Sequence, residues 1–181
     1  MTDPRHDHFA LFDLPPRFAL DEASLEQAYR RVQAQVHPDR FASAGAAERR
    51  VAMQWATRAN EAFRTLRSPL ARAAYLCERH GQPIEAESNT AMPAAFLMQQ
   101  MQWREELDEA RGGDREAAQS LAREVKARRE EVLARVASAL DERHDYAGAA
   151  ACVRELHFID RFRDELAAFL ESVAAAASHD H

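Results

Sequence analysis

Residues 25–41 read LEQAYRRVQAQVHPDRF, and the fold turns on this stretch. Leu25, Tyr29, Val32 and Val36 recur at steps of four, three and four, which marks one face of an α-helix rather than the two-residue alternation of a strand. Asp21 stands ahead of the pattern as its N-cap. Pro38 ends it, because a proline ring disfavours helical backbone at the residue before it, so His37 and Asp39 leave the helix on a turn. Past the loop from Arg40 to Gly45, a stripe of Val51, Trp55, Ala59, Ala62 and Leu66 predicts a second helix, paired antiparallel with the first. Upstream, Phe9, Phe12 and Leu14 before Pro15 and Pro16 predict a brief helix packed across the pair. Downstream, Ser68 and Pro69 read as N-cap and first residue, and Gly81 as the C′ residue, of a short helix carrying Leu70, Ala74 and Cys77.

The stretch from Gln82 to Thr90 has the composition of a linker. The expected division is residues 1–81, a linker at 82–92, a second unit at 93–175 and a frayed tail at 176–181. In the second unit, three helical patterns follow Pro93: one to about Arg111, stopped by Gly112 and Gly113, one from Asp114 to about His144, and one from Asp145 to about Val173. The middle helix carries Leu121, Val125, Val132, Val136 and Leu140 on one face, and the last carries Cys152, Leu156, Ile159, Leu166 and Val173. No such stripe is buried by a helix alone, so a three-helix bundle is the simplest closure.

Composition agrees with an all-α chain. Only five glycines and seven prolines stand among 181 residues rich in Ala, Leu, Glu and Arg. A formal net charge of -6 disfavours a broad grip on nucleic acid. Two cysteines, Cys77 and Cys152, are too few for a disulfide scaffold, and each falls on an apolar helical face, where cysteine packs as a small hydrophobe. No apolar run approaches the roughly 20 residues needed to span a bilayer. A reducing cytoplasm is therefore expected, with no membrane partner.

The loop His37-Pro38-Asp39, with Tyr29, Arg30, Arg31 and Val32 upstream, resembles the loop and second helix of a J-domain, the module by which co-chaperones stimulate ATP hydrolysis on an Hsp70-type chaperone. Asn60-Glu61-Ala62-Phe63 with Leu66 resembles the third helix of that module, and Ser68-Pro69 with Arg72 and Tyr75 its last. Ala34 and Gln35 replace two frequent lysines and Phe41 a usual asparagine, which points to a subset. His37 to Ser43, the opening Phe9-Ala10-Leu11-Phe12-Asp13-Leu14-Pro15, and Ala95-Phe96-Leu97-Met98 followed by Arg104-Glu105-Glu106-Leu107-Asp108 resemble the Hsc20/HscB family, from about His8 to Leu170. The resemblance implies an L-shaped pair of helical modules. It also implies a co-chaperone of iron–sulfur cluster assembly that brings the cluster scaffold protein (IscU-like) to a specialised chaperone (HscA-like) and promotes ATP hydrolysis there. On that basis His37, Pro38, Asp39, Tyr29, Arg30, Arg31 and Arg40 are the expected chaperone-binding residues.

On the helix from Pro93 to Arg111, Phe96, Trp103, Leu107 and Ala110 share one face and suffice for packing. Leu97, Met98 and Met101 broaden the apolar surface beyond it, flanked by Gln102 and Glu105, and Phe158 lies roughly 120° from the centre of the last helix's stripe. By pattern alone these side chains form either a partner surface or a second buried face. The resemblance assigns Leu97, Met98, Met101, Gln102, Glu105 and Phe158 to the scaffold. Short histidine pairs at the termini, His6 with His8 and His179 with His181, read as mobile tails, so no metal site and no cofactor is expected. Arg123, Lys126, Arg128 and Arg129 interspersed with Glu124, Glu130 and Glu131 predict a solvated face with i,i+4 pairing. An enzyme using His37 and Asp39 as an acid–base pair lacks an accompanying nucleophile, metal cluster or phosphate loop. A J-protein serving another client keeps the first surface and replaces the second.

Overall fold

The computed structural model describes residues 7–41, 45–84, 92–112 and 114–179, apart from the side chains of residue 38 and residues 176–179. Every regular element among them is helical: α1 (His8–Leu11), α2 (Glu22–Val36), a 3-10 turn (Pro38–Phe41), α3 (Ala46–Arg67), α4 (Pro69–Arg79), α5 (Ala94–Ala110), α6 (Arg115–Ala137), a π turn (Ser138–Glu142) and α7 (Tyr146–His179). The helices start where capping chemistry places them. An Asp21 carboxylate oxygen accepts from the Ser24 amide at 2.9 Å, the Ser68 hydroxyl from the Ala71 amide at 3.3 Å with Pro69 in the first turn, and Asp114 from the Ala117 amide at 2.9 Å. Gly81, at φ 75°, supplies the left-handed residue that closes α4. Of the expected linker, residues 85–91 lie outside the described residues. Helix α7 continues past Val173 to His179, and residues 180–181 lie outside the described residues.

Helices α2 and α3 pair through Leu25, Ala28, Ala59 and Ala62, each no more than 1% exposed, and α1 seats Phe9 and Phe12 in the same core. The stripe expected on α3 holds only in part. Val51 and Trp55 are 49% and 36% exposed, and the first half of the helix buries Ala52 alone. The periodicity continues past the point where a neighbouring element covers it.

The expected faces of α5 and α6 are buried throughout: Phe96, Trp103, Leu107 and Ala110 on one, Leu121, Val125, Val132, Val136 and, in the π turn, Leu140 on the other. Rings fill the space between α5 and α7, with Trp103 stacked on Phe162 at 5.6 Å and Phe96 edge-on to Phe158 at 5.7 Å. The indole N–H of Trp103 donates to Glu124 at 2.7 Å, so the largest buried side chain has its polar atom satisfied. The solvated basic face expected on α6 holds for Arg123 and Lys126, which are exposed, and is corrected at Arg128 and Arg129. Arg128 donates to the buried carboxylate of Glu155 on α7 at 2.6 Å, Arg135 grips the other oxygen of the same carboxylate, and Arg129 donates to Asp160 at 2.5 Å. Lys126, 4.0 Å from Glu130, makes a surface i,i+4 pair of the expected kind, and Arg128 also reaches Glu131 at 2.8 Å along its own helix. Cys77 is buried, and Cys152 is half-buried beside Arg135.

The two ends of the chain share one buried cluster. Helix α4 packs against α7, Arg154 donates to the Ile84 carbonyl at 3.5 Å, and the His80 ring stacks on Tyr146 at 3.8 Å. The π turn presents Asp141, whose two carboxylate oxygens accept from the backbone amides of Phe18 and Ala19, each at 2.7 Å. The helix expected from Asp114 to about His144 runs in the α form to Ala137 and in the π form to Glu142, and His144 adopts φ 53° as the chain turns into α7.

Candidate functional site

His37 caps α2 in extended conformation, φ −60° and ψ 132°, as a residue before proline must. Its Nδ1 lies 3.3 Å from the Asp39 amide nitrogen and 3.6 Å from the Asp39 carboxylate. The side chains of His37 and Asp39 are 55% and 91% exposed. Arg40 folds back to donate to the Ala34 carbonyl at 3.0 Å, satisfying a carbonyl that the end of α2 leaves open. The turn is therefore held by its own backbone and by Arg40, leaving the ring and the carboxylate at the surface. Arg30 and Arg31 are exposed on α2, with Arg30 paired to Glu26 at 3.2 Å.

Tyr29 belongs to a different layer. Its hydroxyl donates to Asn60 at 2.8 Å, Gln33 donates to the Tyr29 oxygen at 3.0 Å, and its ring stacks on Phe63 at 4.2 Å. This half-buried strut fixes α2 on α3 and thereby the base of the turn.

The second group lies on α5. Leu97, Met98 and Met101 are 45%, 71% and 72% exposed, with Gln102 and Glu105 exposed beside them. Phe158 does not share that exposure. It is half-buried, packed against Phe96 and stacked with Phe162 at 6.4 Å, with the Arg104 guanidinium 5.8 Å from its ring centre. It backs the patch from α7 instead of extending it. His8, read as part of a tail, is anchored: its ring stacks on Tyr75 at 4.4 Å and its amide donates to the Tyr75 hydroxyl at 3.0 Å. His6 and His181 and the side chain of His179 lie outside the described residues.

What a one-dimensional reading misses are groups whose partners sit on other helices: Asp141 under Phe18, Glu155 between two arginines, and the uncovered Val51, Met53 and Trp55 of α3. Repeated arginines at 128 and 135, one heptad apart, are the single sequence hint of a buried acidic partner.

Residues 92–167 match a family model described as the HSCB C-terminal oligomerisation domain. A co-chaperone protein HscB homolog of Bordetella petrii is 58% identical over 162 residues, 90% of this chain and 95% of the relative. One from Burkholderia mallei is 52% identical over 172 residues, 94% of this chain and 98% of its own length. Among solved structures, the chaperone HscB from Vibrio cholerae superposes with a TM-score of 0.80 at 32% identity, over 92% of this chain and 99% of that one. Human co-chaperone protein HscB superposes at 0.84 and 30% identity, over 91% and 82%. With an N-terminal J-domain, a C-terminal helical domain and this degree of likeness over nearly its full length, the chain belongs to the HscB family of co-chaperones.

Proposed function

We propose that this co-chaperone is an adaptor of iron–sulfur cluster assembly with two ports. Residues 1–81 address an Hsp70-type, HscA-like chaperone, residues 93–175 hold an IscU-like scaffold protein, and 82–92 join them. The observation that carries this reading is the exposed His37–Asp39 turn, tied by Arg40 to the end of α2 and bordered by Arg30 and Arg31. Such a turn suits an acidic surface. Binding the hydrolysis-competent state of the chaperone more tightly than the alternative shifts its population toward hydrolysis. The adaptor supplies no catalytic group and needs no cofactor, and it works in the cytoplasm without nucleic acid or membrane. On the second port, Leu97, Met98 and Met101 offer adaptable apolar contact, Gln102 and Glu105 a polar rim, and Phe158 support from beneath. Holding client and chaperone together raises their effective concentration.

The test is the chaperone's ATPase rate with and without this protein and the scaffold. His37→Gln is expected to abolish stimulation while far-UV ellipticity and melting temperature stay unchanged, because the ring is exposed and its contacts among the described residues are with Asp39 of its own turn. Normal stimulation by that variant overturns the chaperone port. Failure to retain the scaffold in a pull-down replaces the second port with another client.

A further inference from the structure

Where α4 ends and the π turn leads into α7, a cleft of about 400 Å³ opens between the two halves of the chain. Arg17 borders it from the connection between α1 and α2, Arg79 and His80 from the end of α4, and His144 and Tyr146 from the entry to α7. The His80 and His144 rings lie 3.8 and 6.4 Å from the Tyr146 ring, so both imidazoles border one aromatic wall. Nδ1 of His144 sits 3.1 Å from the Leu140 carbonyl oxygen, which can only accept, so that nitrogen is the donor and Nε2 remains for a ligand. The two nearby acids are already engaged. Asp7 pairs with Arg79, and both carboxylate oxygens of Asp141 accept from the Phe18 and Ala19 amides. Arg17 forms no ion pair among the described residues, and it, His80 and His144 are all exposed.

Folding does not account for this gathering of like charge. Around His80 stand Arg17, Arg79, Asp141, His144 and Tyr146. Burial, then Arg79 and His144, hold the His80 pKa below the ordinary histidine value, and Asp141, spent on its two amides, does not offset them. An anion in the cleft reverses that: it pairs with the Arg17 guanidinium, accepts from the imidazoles and favours the protonated form of His80. An apolar ligand would leave these groups unpaired. A metal ion would lack ligands, since no three His, Cys, Asp or Glu side chains gather among the described residues. We propose that this cleft binds a small doubly charged oxyanion of the phosphate class, held by Arg17, Arg79, His80 and His144. The first three belong to the N-terminal unit and His144 to the C-terminal one, so the bound ion ties the two units at their junction. The site does not depend on either port of the preceding section.

The test titrates the full-length protein with sulfate, a dianion at every pH used, at an ionic strength held constant with chloride, and follows the imidazole C–H resonances of His80 and His144. A saturable shift is expected, with affinity roughly five-fold higher at pH 6 than at pH 8, because the bound anion favours the protonated imidazole. Arg17→Gln is expected to weaken binding about ten-fold, and Arg17→Lys to stay nearer the parent. His80→Gln, read at His144, should reduce the pH dependence. Helical signal should not change in any of these variants, because both side chains are exposed. Inorganic phosphate and adenosine monophosphate then compete with the sulfate. Displacement by phosphate alone supports the site with the free ion as occupant, and displacement by both supports it with a phosphate ester admitted as well. A shift that grows linearly to the highest sulfate concentration overturns the proposal, as does an affinity that neither Arg17→Gln nor pH alters.

Discussion

Single side chains carry the pH response. His8 is stacked on Tyr75, and burial pushes its pKa below the ordinary histidine value, outweighing Glu61 and Asp7, which act the other way, while Arg58 reinforces it. Burial, with Arg79 and His144, likewise lowers His80, which stacks on Tyr146. A histidine lowered in the folded state stays neutral while the unfolded chain takes up the proton. Its stability contribution is thus present above about pH 6.5 and is lost as pH falls below it. The melting temperature is expected to drop between about pH 7 and pH 5, and His8→Phe, which keeps the stack but cannot titrate, to flatten part of that slope. An identical profile for the variant would show that His8 does not contribute. At the second port the same scale separates surface from support. Met98→Ala and Met101→Ala should each cost within about 0.5 kcal/mol of stability, whereas Phe158→Ala, which removes ring contacts with Phe96 and Phe162, should cost on the order of 2 kcal/mol. All three are expected to weaken scaffold binding. Equal destabilisation by all three, seen in denaturant titrations, would place the methionines in a core.

At the scale of elements, the α6–α7 pair turns on a buried carboxylate. The Glu155 side chain is 4% exposed between Arg128 and Arg135, which are 21% and 41% exposed. Removing the anion leaves Arg135 without a carboxylate partner and Arg128 with Glu131 alone, at 2.8 Å, so Glu155→Gln is expected to cost about 1 to 3 kcal/mol, discounted because both guanidinium groups reach water. Replacing Glu155, Arg128 and Arg135 together by leucine removes the desolvation cost as well, and that triple variant should melt at or above the parent. A triple variant less stable than Glu155→Gln would mean that the ion triad contributes more than apolar packing would. Helix periodicity could not show this arrangement, since each residue's own helix reads as amphipathic with or without it. The same limit explains what was legible here and what was not. Stripes such as Phe96, Trp103 and Leu107 were readable because burial repeats with the helix, as were caps such as Asp21 and Ser68, which act within three residues. Val51 and Trp55 misled because a stripe says which face is apolar and not how far a neighbour extends along it.

At the scale of the whole molecule, the turn at His37 and the patch at Met98 were both visible in the sequence, whereas the junction that relates them was not. It depends on Asp141 meeting two backbone amides more than 120 residues away, at Phe18 and Ala19, and on a π turn that no local pattern announces. With α4 packed on α7 and Leu76, Cys77 and Ile84 buried in one shared cluster, the two proposed ports are not beads on a string. Burial drives the Cys77 thiol up to about 11, with Glu78 and Cys152 adding to the shift, so slow alkylation at neutral pH reports an intact junction. Asp141→Ala leaves the Phe18 amide, half-buried, without its acceptor, while the exposed Ala19 amide can turn to water. The expected cost is about 1 to 2 kcal/mol, below the full penalty for a buried orphan. Hydrogen exchange at both amides should accelerate, and Cys77 should alkylate faster. If the junction holds the ports in register, stimulation measured with scaffold should fall more than stimulation measured without it, because effective concentration depends on the geometry between them and the His37 turn is untouched. Equal loss in both assays would mean that the clasp stabilises the fold without setting the distance over which the adaptor works.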